Sequence, residues 1–362
     1  MNLLGHVAKG VSGAVFGSNP EGYNPEDAAV EGLLSRISDG VLSEDRHDAL
    51  VALRDLLIDN PQAQLAVGAM GFPVLAEVLR EDREDVELLQ GALEVLINAC
   101  GPPPASHGDT HARKEVQAGA LNSDLFAREP SNTYLLLSLL EDEPVGVNDF
   151  YVRYHTVQLL TALLSSSAYR LQEAILASPM GVIRLMDMMA EREVIRNEAL
   201  LLLVALTRAN EEVQKIAAFE GAFDRLFNIV REEGALDGGI IVQDCLELLN
   251  NLLRGNSSNQ LMFREMGFLQ QVPGMFQASP GLPGDLVDAM GEAFQQPTLL
   301  PRQKAANMLC ALETVMLLIT TQPPPGNSVS KPPEPSQTQE QNLVANKELL
   351  LGSGLLDTLL GL

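Results

Sequence analysis

Three glycines set the frame for this chain. Gly181, Gly221 and Gly267 each precede the last apolar helix of a helix–turn–helix cycle, at spacings of 40 and 46 residues. A repeat of that length constrains the fold more than any single motif, because such units bury their apolar faces only by stacking on neighbouring copies. Ser178 to Gly267 holds two clean cycles. Earlier copies lie upstream: Asn60, Gln64 and Gly71 recur 150 residues later as Asn210, Gln214 and Gly221. Ala49, Leu50 and Leu53 recur 43 residues later as Ala92, Leu93 and Leu96. The period predicts an all-α, armadillo/HEAT-like right-handed α-solenoid of stacked helical repeats.

Composition supports close-packed helices. Hydrophobic residues make up 46% of the 362 positions but aromatics only 4%, with no Trp. An aliphatic core of that kind suits helix stacking better than a β-sandwich. The 48 Asp and Glu against 24 Lys and Arg leave a formal charge of −24, which opposes nucleic acid and anionic membranes as partners. Basic or mixed protein surfaces fit it better. Cys100, Cys245 and Cys310 are odd in number and lack paired spacing, so buried thiols in a reducing compartment are expected. No stretch approaches the roughly 18 uninterrupted apolar residues of a spanning helix.

Along the chain, residues 1–25 read as a flexible arm and 26–322 as the armadillo-like repeats. After Cys100 the run GPPP should stop a helix, and an insertion loop is expected at about 101–124. Residues 323–341, rich in Pro, Gln and Ser, read as a disordered loop. Residues 342–362 read as a partial last repeat. Leu355, Leu356, Leu359, Leu360 and Leu362 leave it apolar and uncapped, so the expectation is that the chain stops before a continuing protein.

Nothing in the residues points to catalysis. There is no phosphate-cradling glycine loop and no nucleophile elbow. Glu232 and Glu233 are adjacent, so on a helix their side chains diverge by about 100°. His107, Asp109 and His111 cluster in the expected loop without further ligands of suitable spacing, so no metal is expected. His155 reads as a satisfied helix residue. No catalytic, cofactor-binding or metal residues are assigned. One column could line a binding groove: Asp55, Asn98 and Asn251 align across the units, as in peptide-binding armadillo proteins. Ala205 interrupts that ladder in the fourth unit.

The runs VIRNEALLLL, VQKIAAFEGAF and DCLELLNNLLRGNSSNQ are more specific than a generic armadillo pattern, which requires mainly the apolar positions. They resemble the N-terminal head of the Uso-type Golgi vesicle-tethering factors, also called general vesicular transport factors. The similarity is dense over residues 151–267 and fainter over 46–100. It implies a non-catalytic, cytoplasmic tether, peripheral to Golgi membranes and transport vesicles, acting in endoplasmic-reticulum-to-Golgi and intra-Golgi transport. The implied partners are a Rab-family GTPase of the early secretory pathway and a second copy in a homodimer. Golgins and SNAREs would bind through a coiled-coil rod and acidic tail that these residues do not include. Other functions open to such an array are a nucleotide-exchange cochaperone of an Hsp-seventy chaperone, and a peptide-binding adaptor. Partner contacts are expected among polar residues that the apolar core does not require: Arg196, Asn197, Gln214, Lys215, Glu220, Asn256 and Asn259. Helix capping and hydrogen bonding between repeats is the competing reading of that set.

Overall fold

The computed structural model describes residues 24–101, 110–142, 146–276, 301–320 and 337–360, and among these every regular element is helical. The chain divides into two compact units, residues 1–202 and 203–362. The expected N-terminal arm, the 277–300 region and most of the 323–341 segment lie outside the described residues.

In the first unit, helices α1 (Pro25–Asp39), α2 (Ser43–Leu56), α3 (Pro61–Met70), α4 (Phe72–Glu81) and α5 (Val86–Cys100) open the stack. Then come α6 (Thr110–Ala127), α7 (Pro130–Leu139), α8 (Phe150–Ala177) and α9 (Gly181–Asp187). Helix α10 (Glu193–Leu206) contains the point of division. The long helices α2, α5 and α8 pack in succession, each offering apolar residues at helical spacing. Leu50 and Leu53 of α2 and Leu89, Leu93 and Leu96 of α5 are fully buried, as an amphipathic stripe requires. Helix α8 bends at Ser167, whose φ of −136° and ψ of 46° leave the helical region.

In the second unit, α11 (Glu211–Phe219), α12 (Ala222–Glu232), α13 (Ile240–Leu253), α14 (Ser257–Glu265) and α15 (Val272–Phe276) precede α16 (Arg302–Ile319), α17 (Gln337–Gly352) and α18 (Leu355–Leu360). Helix α13 packs on α16, and α16 on α17. Phe223, Phe227, Phe263 and Phe268 form one ring cluster with centroids 5.1–6.0 Å apart. The recurrent glycines have a conformational cause at Gly221 and Gly267. Their φ values of 82° and 84° lie in the left-handed region, where a Cβ is strained.

One turn is built alike in both units. Asp59, Ala209 and Gly255 are left-handed, at φ 54°, 57° and 66°. The asparagine that follows each, Asn60, Asn210 or Asn256, caps the next helix by accepting the backbone N–H three residues on, at 3.1 Å. Four residues further, Gln64, Gln214 and Gln260 donate back to the carbonyls of Leu57, Thr207 and Leu253 at 3.3, 2.9 and 2.8 Å. The Asn-x-x-x-Gln spacing therefore closes the turn by satisfying one orphan donor and one orphan carbonyl.

The expected insertion loop at 101–124 is corrected. From Thr110 onward the chain is helix, and α6 docks on α3 and α5. Buried Asn122 donates from Nδ2 to the carbonyls of Gln64 and Ala99 at 2.7 and 2.9 Å, and Ser123 donates to that of Cys100. Helix α5 ends at Cys100, and the residues from Thr110 onward belong to a packed helix rather than a loop. Close approach depends on Gly68, where a Cβ would collide with Oδ1 of Asn122. At the other end, helix begins at Gln337, within the segment expected to be disordered, and Asn346 donates to the carbonyl of Leu318.

Candidate interaction surface

The seven candidate contact residues separate into distinct environments. Gln214, Asn256 and Asn259 come together inside the second unit, each no more than 5% exposed. Nδ2 of Asn256 donates to Oε1 of Gln214 at 3.2 Å. Nδ2 of Asn259 donates to the carbonyls of Gln214 and Leu252 at 3.0 and 2.9 Å. These are the turn-closing groups and their inter-repeat links. The expectation that they meet a partner directly is corrected: they are buried and bond one another and carbonyls of their own chain.

Lys215 and Glu220 remain accessible. Nζ of Lys215 lies 2.8 Å from Glu211 and 3.4 Å from Glu212 on the same helix, and these carboxylates hold its pKa up. Glu220 is the half-exposed C-cap residue of α11, its N–H bonded to the carbonyl of Ile216. In the first unit Arg196 and Asn197 are half-buried neighbours on α10, with Nε of Arg196 donating to Oδ1 of Asn197 at 3.1 Å.

The asparagine column is committed within the fold. Asn98 donates to the carbonyl of Arg54 at 3.5 Å, and Asn251 to that of Val204 at 2.9 Å. Asp55 pairs with Arg54. Each amide nitrogen bonds a carbonyl of the preceding long helix.

Other groups on the long helices went unread in the sequence. Glu198 of α10 is half-buried, and burial raises its carboxyl pKa. Asp244 of α13 is pushed up to about 6 by burial and by the charge of Glu247. Cys310 of α16 is raised by burial and by Glu247, Glu313 and Asp244, and buried Cys100 is pushed up to about 12. These thiols are poor nucleophiles at neutral pH. At the start of α8, Phe150, Tyr151, Tyr154 and His155 form a ring cluster. Four ring residues within six positions of a chain this poor in aromatics was the signal available for them. Arg153, next to them and only 6% exposed, reaches Glu191 and the carbonyls of Val147 and Glu141.

Among the described residues, no group of three His, Cys, Asp or Glu side chains is placed to hold a metal. His107 and Asp109 lie outside them, and of the His111 side chain nothing is described. No single described helix is long and apolar enough to cross a membrane. The bent pair α3 and α4 passes that test together by length and composition, but its apolar residues Ala63, Val67, Leu75 and Leu79 lie in the core.

No protein-family model matches the chain. It is 48% identical over 353 residues to golgin candidate 6 of Arabidopsis thaliana, covering 97% of this chain and 35% of that protein. It is 38% identical over 320 residues to general vesicular transport factor p115 of Homo sapiens, covering 88% and 31%. By homology, the chain belongs with the general vesicular transport factors. It spans about a third of the length of those relatives. A crystal structure of Uso1 superposes on 95% of the chain and 48% of its own length with a TM-score of 0.71 at 24% identity, which supports the fold. A designed armadillo repeat protein matches with a TM-score of 0.52 at 15% identity. Fold and family thus agree: an armadillo-like α-solenoid of the p115 and Uso1 kind.

Proposed function

We propose that this chain is the head of a vesicle-tethering factor, working by binding rather than catalysis in endoplasmic-reticulum-to-Golgi and intra-Golgi transport. The observation that carries the reading is 38% identity across 320 residues with a vesicular transport factor. The ladders of buried amides support it from another side. They spend the polar groups of the repeat on internal bonds, so recognition falls to side chains left at the surface. Within that reading the head binds a Rab-family GTPase of the early secretory pathway and pairs with a second copy. Golgins and SNAREs bind elsewhere in the full protein, which is cytoplasmic and peripheral to Golgi membranes and vesicles.

Of the candidate contacts, Arg196 and Asn197 in the first unit and Lys215 and Glu220 in the second are not fully buried, and each pair is proposed as a partner contact of its own unit. Pull-down of the chain with GTP- and GDP-loaded Rab proteins tests the reading, with retention on the GTP form expected. Combined Arg196→Ala and Lys215→Ala should weaken that retention while leaving the melting temperature near that of the unaltered protein. Equal retention on both nucleotide forms would count against the Rab assignment, and undiminished binding by the double variant against these two residues.

A further inference from the structure

The first unit carries an aromatic face that neither the core nor the family reading uses. Its 150–155 segment concentrates Phe150, Tyr151, Tyr154 and His155 in a chain with only 5 Tyr, 11 Phe and no Trp. Core rings would be buried, yet Tyr151 is 54% exposed, and Tyr154 and His155 are half-buried. The rings are also held in place. Phe150 and Tyr154 stack at 6.1 Å with an interplanar angle of 5°, and Tyr154 packs 5.4 Å from His155. Gln158 donates to the Tyr154 hydroxyl at 2.7 Å.

The charges around this face are unevenly spent. Asp149 caps α8 by accepting from the N–H groups of Tyr151 and Val152, and it also accepts from Gln90. Glu94 is paired with Arg54 at 2.8 Å. Arg192 lies over the Phe150 ring, 5.9 Å from its centroid. That leaves Glu198. Burial and, after it, the Glu198 charge raise the Tyr154 phenol pKa, while burial alone raises that of the Glu198 carboxyl, with no hydrogen bond or charge of a neighbour offsetting it. Burial lowers the His155 imidazole pKa, and its Nδ1 is buried without a hydrogen-bond partner among the described residues. A half-buried carboxylate without a cation is costly, and ring faces attract cations.

We propose that the surface formed by Tyr151, Tyr154, His155 and Glu198 docks a basic segment of a partner protein, seating a lysine or arginine side chain against the rings and the Glu198 carboxylate. Charge complementarity selects this occupant. The chain carries −24 overall, and Arg54 and Arg153 are paired with Glu94 and Glu191. The inference goes beyond the tethering role and does not depend on Rab binding.

The test uses fluorescein-labelled pentalysine and pentaarginine, with pentaglutamate as the opposite probe, in fluorescence anisotropy at about physiological salt. Binding of the basic probes is expected, weakened about tenfold by Glu198→Gln and by Tyr151→Ser, a loss of about 1.4 kcal/mol. Tyr151→Phe should retain binding. Glu232→Gln, which removes an exposed charge at the end of α12 in the second unit, should change it less than about twofold. Equal losses in the Glu198 and Glu232 variants would mean a diffuse acidic field and overturn the proposal. So would unchanged binding by Tyr151→Ser, preference for pentaglutamate, or no binding of the basic probes. Should a variant fail to fold, the His155 ring resonances of the unaltered protein decide the matter: they should shift on adding pentalysine, and constancy at saturation overturns the site.

Discussion

At the turns before α3, α11 and α14, the same small set of atoms does the same work. A left-handed residue reverses the chain, an asparagine caps the next helix, and a glutamine or a second asparagine returns to the carbonyls left open. Asn259 bonds two such carbonyls from inside the fold, so Asn259→Ala should cost about 1–3 kcal/mol in urea unfolding. Lys215→Ala, which loses only surface pairs, should cost less than about 1 kcal/mol by the same measurement. Asp244 makes a prediction of opposite sign. Its pKa is raised to about 6, so between the ordinary aspartate value of about 4 and that value the folded state holds a proton that the unfolded chain releases. Stability contributed at this site therefore falls as pH rises through that window. Asp244→Asn should raise the melting temperature at pH 7, and the difference should vanish toward pH 4. The turn residues were legible as a pattern, since Asn60 and Gln64 recur at Asn210 and Gln214. Their role was not. A pair that recurs with the repeat is what the repeat itself needs, and that argument points Gln214 and Asn256 inward before any coordinates are seen.

At the scale of the helix, α6 shows what local chemistry hides. In the sequence three prolines follow Cys100, and the Gly, Ser and Asp after them favour turns, so a loop was the natural expectation. What makes Thr110–Ala127 helix is its docking: Asn122 and Ser123 reach carbonyls on α3 and α5 that lie 23 to 58 residues away in sequence. No window of neighbouring residues reports contacts at that range. The fit hinges on the missing side chain at Gly68, so Gly68→Ala should push α6 away from α3. Amides of α6 should then exchange faster with solvent than those of α2, at a cost of about 1–3 kcal/mol. Helices whose apolar stripe was unbroken, such as α2, α5, α11 and α13, were readable from periodicity alone because burial there follows the 3.6-residue turn.

Across the whole molecule, the acidic excess acts on every repeat at once. Like charges along a helical array repel, and salt screens them. The melting temperature should therefore rise between about 0.02 M and 0.3 M sodium chloride, and scanning fluorimetry would show it. A flat response would mean that local pairs such as Arg46–Asp82, with contacts at 2.6 and 2.9 Å, already neutralise the field. The solenoid itself was visible in the 40 to 46-residue spacing, whereas the family rested on particular runs of polar and apolar residues together. The turn closure has one more consequence. The residues that close each turn lie within a dozen positions of one another, so a stretch copied at this period carries its own joint with it. Genes for such arrays can lengthen by duplication without inventing a new corner each time, and divergence is then free to act on the outward side chains while the hinge chemistry is inherited whole.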